Sequence, residues 1–462
     1  MELNFLNVVD EKKELIDAAA DYLWDHPETA FTEFQSAAYL CDVLRREGFC
    51  VEEKLAGIPT AFSGSFGTGR PVIGILGEFD ALSGLGQAAG VTCQQGSGQS
   101  CGHGCGHNLL GAGSLGAALA VKHYLERTGR EGTVIYFGCP GEEGGSGKAF
   151  MARDGAFDGL DAALCWHPDD STGPKFQTSL ANCEVLYKFD GVASHAGTAP
   201  HLGRSALDAV ELMDSGANYM REHMIDEARV HYAIVDTGGF SPNVVQSHAE
   251  VLYLIRAPHN DQVKELYERV CRIAQGAALM TDTTASHEFI KGCSGFVHNF
   301  TMLSCIQTLM ETIAPPQPTR EDLAFAAELT EKALQAFPGH DSEKPLHWEV
   351  KPYVGRCIPG GGSTDVSDVS WICPTAELTA ATMAAGTPGH SWQLTAQGKT
   401  PYAHAMTRYA AKIMAGCAVQ LMEDPALLEK AREEHRRQVG SGYVPPIPAG
   451  IAPRPMESFI KK

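Results

Sequence analysis

The sequence predicts an α/β fold: a mixed, mostly parallel sheet interrupted by an inserted ferredoxin-like α+β unit. Three observations carry this. Short apolar runs bounded by turn residues, "PVIGILGEFD", "GTVIYFGCP" and "DAALCWHP", alternate with helical segments early in the chain, as strands buried on both faces do. From residue 183 to residue 291 the order becomes strand, helix, strand, strand, helix, strand, the split βαβ arrangement. After that the chain returns to long helices. The expected division is therefore residues 1–181, an insert at 182–294, and a return to the first domain at 295–462, ending in a Pro-rich tail.

The elements follow from local pattern. Residues 4–24 and 33–46 have amphipathic helical spacing, and Gly48 stands where a C-terminal cap belongs. The Gly-rich stretch "SCGHGCGHNLLGAG" at 100–113 feeds a helix of small residues that must pack closely against a neighbour. A short helix is expected at 148–153 between two buried strands. In the insert, the strands are "CEVLYKFDG", "RVHYAIVD", "AEVLYLIRA" and "TTASHEFIK", with helices starting near Ser205 and Asn260. Helices are expected at 299–313, 320–336 and 403–422, and residues 444–455 read as an irregular strap or tail.

Composition narrows the function. The chain of 462 residues is 44% hydrophobic and 20% charged, as ordinary globular proteins are. A formal charge of -20 argues against nucleic acid or an anionic membrane as partner, since both need a basic face. No window approaches the roughly 18 uncharged apolar residues of a membrane helix. The first residues lack the basic and apolar blocks of a secretory signal, and fourteen scattered cysteines form no disulfide framework. A cytoplasmic protein with reduced thiols is the expectation.

The Gly-rich stretch at 100–113 allows several chemistries. Cys101 and Cys105 are four apart, which is wrong for a C-x-x-C redox pair, and no second knuckle completes a structural zinc site. "EEGGSGKA" at 142–149 imitates a phosphate loop but has Glu142 where glycine is needed and Ala149 where a hydroxyl is needed. What remains is a set of metal-ligand types. Cys105 and His107 flank a glycine, so a tight backbone can aim both at one place. Glu142 and Glu143 follow the end of one strand, and His167 the end of another. In open α/β sheets ligands gather at the carboxyl ends of strands. Adjacent carboxylates diverge, so one can bind metal while its neighbour serves as a base, the division that hydrolysis requires. Each residue taken singly also fits a satisfied core position; their joint placement favours the metal.

The stretches "HGCGH", "GCPGEEGGSGK", "WHP", "ASHAGTAPHLGRSALDAV", "SPNVV" and "WDHPETAFTEFQSAAYL" together resemble the di-metal aminoacylase and carboxypeptidase family (metallopeptidase clan MH), in particular its amidohydrolase branch. The resemblance spans nearly the whole chain in the family's order. It implies a catalytic domain broken by a ferredoxin-like dimerisation or lid domain, and two bridged divalent cations, manganese or zinc, with cobalt as an alternative. Carried over position by position, it implies Cys105, His107, Glu143 and His167 as ligands, with His404 in "YAHAMT" as the C-terminal one. His404 also fits a plain helix-start histidine. Glu142 would be the general base, Asp80 in "GEFDAL" the aspartate that orients a ligand, and His195 in "ASHAG" the histidine that crosses the dimer interface to steady an oxyanion. The branch usually carries Asp and His where Asn108 and Leu110 stand here.

The activity so implied is hydrolysis of the amide bond of an N-acyl or N-aroyl amino acid, with p-aminobenzoyl-glutamate as the leading substrate. A broader deacylase or dipeptidase, or a non-catalytic partner subunit, are the alternatives. A carboxylate-bearing substrate needs a cationic or amide-rich pocket. Asn243 in "SPNVV", Arg256 in "LIRAP" and the backbone around Gly361 in "GGGSTD" are the candidates. Arg256 equally fits a surface ion pair, and the glycines a simple turn. The partner chain would be an identical copy or a related second subunit.

Overall fold

The computed structural model describes residues 3–336, 344–455 and 458. Its strands are β1 (Cys50–Glu53), β2 (Phe62–Thr68), β3 (Val72–Glu78), β4 (Leu82–Ser83), β5 (Cys101–Gly102), β6 (Gly132–Cys139) and β7 (Ala162–Asp169). They continue with β8 (Ser171–Pro174), β9 (Ala181–Asp190), β10 (Arg229–Asp236), β11 (His248–Ala257), β12 (Thr284–Cys293), β13 (His347–Val350) and β14 (Thr375–Ala381). The chain forms two compact units. The first comprises Met1–Gln177, Val297–Pro359 and Val369–Tyr443; the second comprises Thr178–Phe296, Gly360–Asp368 and Val444–Lys462. The sequence reading put the last two segments of the second unit with the first domain.

The first unit is built on an eight-stranded sheet in the order β1-β2-β6-β3-β7-β14-β8-β13. Its centre is parallel, through β6–β3, β3–β7 and β7–β14, and its β1–β2–β6 side is antiparallel. The helix His107–Thr128 lies against the centre with almost all of its first five turns buried. Its glycines make that approach feasible: a Cβ on Gly113 would stand 2.7 Å from Trp166 Nε1, and one on Gly111 would stand 2.8 Å from the Glu78 carbonyl. Trp166 is fully buried and donates its indole N–H to the Leu110 carbonyl at 3.0 Å. The expected first helix divides at Lys12 into Asn7–Glu11 and Lys13–Asp25.

The second unit carries an antiparallel four-stranded sheet, β10-β11-β9-β12. Alternate residues Cys183, Val185, Tyr187 and Phe189 of β9, and Val251, Tyr253 and Ile255 of β11, form one core with the helices Ala206–Met220 and Asn260–Thr281. Period-two burial on the strands and period-3.6 burial on the helices make this the βαββαβ unit. Of the tail, Ile447 is buried and Arg454 pairs with Glu288 at 2.5 Å. Among the described residues no helix is long and apolar enough to cross a membrane.

Candidate metal centre

The parallel strands β3, β6 and β7 end side by side, and the chemistry collects just beyond those ends. β3 delivers Glu78 and, two residues on, Asp80; β6 runs into the turn 140–141 that presents Glu142 and Glu143; β7 carries His167. The Gly-rich loop closes the ring. Gly106 adopts φ +81° ahead of the helix that His107 begins, a left-handed backbone that glycine takes without steric cost. That turn sets Cys105 and His107 against the strand ends.

The donors converge. Cys105 Sγ is 3.5 Å from His167 Nε2, and the His107 and His167 rings meet edge to face at 5.8 Å. Three sets of side chains offer ligand atoms within 4.8 Å of one another: Cys105–His107–His167, Cys105–Glu143–His390 and Glu78–His107–Glu142. Each imidazole is oriented by its other nitrogen. His107 Nδ1 donates to Asp80 Oδ1 at 2.9 Å, and His167 Nδ1 donates to the Pro168 carbonyl at 2.7 Å, leaving both Nε2 atoms facing the cluster. Asp80 also accepts the Glu143 N–H through Oδ2 at 2.8 Å, so one buried carboxylate fixes two of the converging groups.

The electrostatics suit cations. Burial pushes the Cys105 thiol up, and the Glu143 carboxylate adds to this; only a nearby positive charge makes it a thiolate. Burial, with the charges of Lys175 and His107, holds His167 down at about 4, so it is neutral at pH 7. Burial pushes Glu143 up, but the approach of the His390 imidazole and the charge of His107 outweigh it and hold Glu143 at about 2. Burial also favours a neutral His107, yet Cys105 and Asp80 raise it well above an ordinary histidine. Two atoms aimed into the cluster, His107 Nε2 and Glu143 Oε1, are buried without a hydrogen bond. Glu78 Oε2 and His390 Nε2 lie 3.2 Å from them, respectively, but not in hydrogen-bonding alignment. An unsatisfied imidazole nitrogen and carboxylate oxygen beside a thiol fit a divalent-metal site.

The C-terminal histidine in this ring is His390, not His404. His390 follows Thr387, Pro388 and Gly389, sits at φ +55°, and donates its own N–H to the Gly104 carbonyl at 2.9 Å. His404 lies in the first turns of the helix Pro401–Glu423, 3.1 Å from Asp21. Ion pairs flank it: Asp10–Lys412 and Asp17–Arg408 join the same helix to the two N-terminal helices, and Asp25 pairs with Lys399, just before its start. Histidine at a helix start drew the sequence reading away from the loop "TPGHSW". Three further residues were missed. Glu78 is buried and pairs at 2.7 Å with the fully buried Lys148; the signal was a lone lysine in the apolar stretch "GKAFMA". Glu33 is buried too, and burial together with the Asp80 charge pushes it up to about 8.

Asn108 and Leu110 take structural places. Asn108 Nδ2 donates to the carbonyls of Gly398 at 2.9 Å and Ala20 at 3.3 Å, and Leu110 is core. The remaining candidates lie in the second unit. His195 is exposed; its Nδ1 accepts the N–H groups of Gly197 and Thr198, both at 3.1 Å, which leaves Nε2 as a donor. Its loop is bridged to the Asn243 loop through the Ala196 N–H and the Asn243 carbonyl at 2.9 Å. Arg256 Nη1 reaches the Gly361 carbonyl at 3.5 Å, and its Nε is buried without a partner.

The profile of peptidase family M20/M25/M40 matches residues 75–452. One of the p-aminobenzoyl-glutamate hydrolase subunits of Escherichia coli (strain K12) is 46% identical over 474 residues, covering 98% of each chain. Xaa-Arg dipeptidase of Homo sapiens is 27% identical, covering 94% of this chain and 92% of that one. Among solved structures, the aminobenzoyl-glutamate utilization protein of Klebsiella pneumoniae has the same fold at a TM-score of 0.61 and 16% identity, covering 91% of this chain and 98% of that one. So does a dinuclear metal-binding peptidase of Bacillus subtilis, at a TM-score of 0.57 and 17% identity, covering 90% and 99%. The chain belongs to peptidase family M20/M25/M40, and the reaction it catalyses is hydrolysis of an amide bond.

Proposed function

We propose that the protein cleaves p-aminobenzoyl-glutamate to p-aminobenzoate and glutamate, using two divalent cations, zinc or manganese, held by Cys105, His107, Glu143, His167 and His390. The observation that carries this reading is the convergence of those donors from four separate stretches, with Glu142 beside them and 4.0 Å from His107 Nε2. When bound, such cations supply Lewis-acid polarisation of the amide carbonyl and an acidified water.

The protein's own groups do the rest. Asp80 keeps His107 and Glu143 in place. Glu142 takes a proton from the water as its oxygen attacks the carbonyl carbon. It returns that proton to the glutamate nitrogen as the C–N bond breaks, so one carboxylate is base and then acid. In the second unit, the unpartnered Nε of Arg256 and the amide of Asn243, with the backbone at Gly361, suit the substrate's carboxylates. His195 Nε2–H suits the developing oxyanion. The Escherichia coli relative is named as one subunit of its hydrolase, which supports work alongside a second, related chain. Fourteen cysteines with no disulfide among the described residues suit the cytoplasm.

The test is release of p-aminobenzoate, measured beside a panel of N-acyl amino acids and Xaa-Arg dipeptides. The proposal expects p-aminobenzoyl-glutamate to have the highest kcat/KM, and Glu142→Gln to keep the metals while losing about 100-fold or more of turnover. A preference for the dipeptides overturns the substrate assignment, and a fully active Glu142→Gln overturns the base.

A further inference from the structure

We propose that the turn at residues 30–33 is a positioning element for hydrolysis, in which Glu33 and Phe31 fix the loop that presents Glu142. This rests on the reading of Glu142 as the base. Glu33 occupies the N-cap of the helix Phe34–Arg46 but makes no side-chain bond to that helix, where an acid normally accepts its first N–H groups. Its carboxyl is spent elsewhere. Oε1 accepts the N–H of Gly141, far away in sequence, at 2.9 Å, and also the N–H of Phe31 at 2.9 Å; Oε2 accepts the Thr60 hydroxyl at 2.9 Å.

Gly141 is the residue immediately before Glu142, and it stands in the left-handed region at φ +66°. On the other side of Glu142, the Glu143 N–H is held by Asp80 at 2.8 Å. Two buried carboxyl groups from separate parts of the chain thus grip the backbone one residue before and one residue after the base. Phe31 supplies a third contact. It is itself left-handed, at φ +63°, a conformation bulky side chains avoid unless their surroundings hold them there. Its ring lies where a Cβ on Gly141 or Gly145 would have to go, 2.8 and 2.7 Å from ring carbons, and it packs edge-on against Phe150 at 6.2 Å. A strained turn, a diverted cap and glycines shaped to one ring all bear on the same loop. That concentration is what a reaction sensitive to ångström placement of its base requires.

Glu33→Ala, Glu33→Gln and Phe31→Leu test this in the full chain, loaded with zinc. The readouts are bound metal per chain, thermal unfolding, and separate kcat and KM values with p-aminobenzoyl-glutamate. Gln keeps the Oε1 acceptor for both N–H groups and closely mimics the neutral acid. We expect Glu33→Ala to keep its metal and a KM within about twofold, with kcat down about 10- to 100-fold. Glu33→Gln should restore kcat to within about fivefold of the parent. Phe31→Leu should lower kcat with metal retained, and it carries the test if Glu33→Ala does not fold. Parent kcat per metal-loaded chain in the folded variants, or a loss that only follows lost metal, overturns the proposal. Glu142→Gln, assayed alongside, separates the two ideas. If it is inactive while Glu33→Ala is fully active, only the positioning role fails; if it is active, the base assignment fails.

Discussion

Asp80 is the residue whose removal reports most on how the centre is held. Its carboxylate is buried and accepts two hydrogen bonds, from His107 Nδ1 at 2.9 Å and from the Glu143 N–H at 2.8 Å. Asp80→Ala strands both donors in a dry site, and each stranded donor costs about 1–3 kcal/mol. The total of roughly 2–6 kcal/mol divides between folding and metal binding. The binding share is bounded separately: loss of the partner that orients a ligating imidazole lowers metal affinity about 10- to 100-fold, or about 1.4–2.8 kcal/mol. Asp80→Asn should fall between, because an amide can accept from one donor but turns its own N–H₂ toward the other. The assays are zinc competition against a chromophoric chelator and urea unfolding of the metal-free protein. Parental zinc affinity and an unchanged urea midpoint in Asp80→Ala would show that Asp80 does not hold the centre.

Two further outcomes follow from the same contacts. His390→Ala should lose bound metal and turnover, whereas His404→Ala should keep both and lose at most about 1 kcal/mol of stability, the scale of one part-exposed polar contact; metal analysis of the two purified variants decides it. Asp161 concerns pH. Burial pushes its carboxyl up, but the Arg70 guanidinium at 2.7 Å, the Val72 N–H at 2.6 Å and Arg432 outweigh that and hold it below the ordinary 3.8. A lowered folded value means its contribution is present above about pH 3.8 and is lost as pH falls through the folded value. Asp161→Asn should therefore cost about 1–2 kcal/mol at pH 7 and flatten the acid limb of a stability-against-pH curve, while an unchanged limb would count against the assignment.

What the sequence made legible was whatever depends on local pattern. β3, β6 and β7 were visible because each is a continuous apolar run, and the βαββαβ unit because its periodicities switch cleanly between 2 and 3.6. β14 was not. All seven of its residues are buried, but "TAELTAA" is polar and small, and only its place between β7 and β8 makes it a strand. The site divides in the same way. Cys105, His107, Glu142, Glu143 and His167 stand in short motifs at element ends. His390 sits in a left-handed loop residue whose direction is set by a backbone bond to Gly104. Glu33, Glu78 and Lys148 owe their places to burial and to partners far along the chain, which no local window contains.

The proposed chemistry requires that one pair of cations be shared among these donors. Anomalous diffraction from zinc-loaded crystals, recorded on both sides of the zinc edge, addresses this requirement. Two zinc peaks are expected within bonding distance of Cys105, His107, Glu143, His167 and His390, each about 2.0–2.3 Å from its ligand atoms. A single peak elsewhere, peaks bound by His404 in place of His390, or none at all, would contradict it.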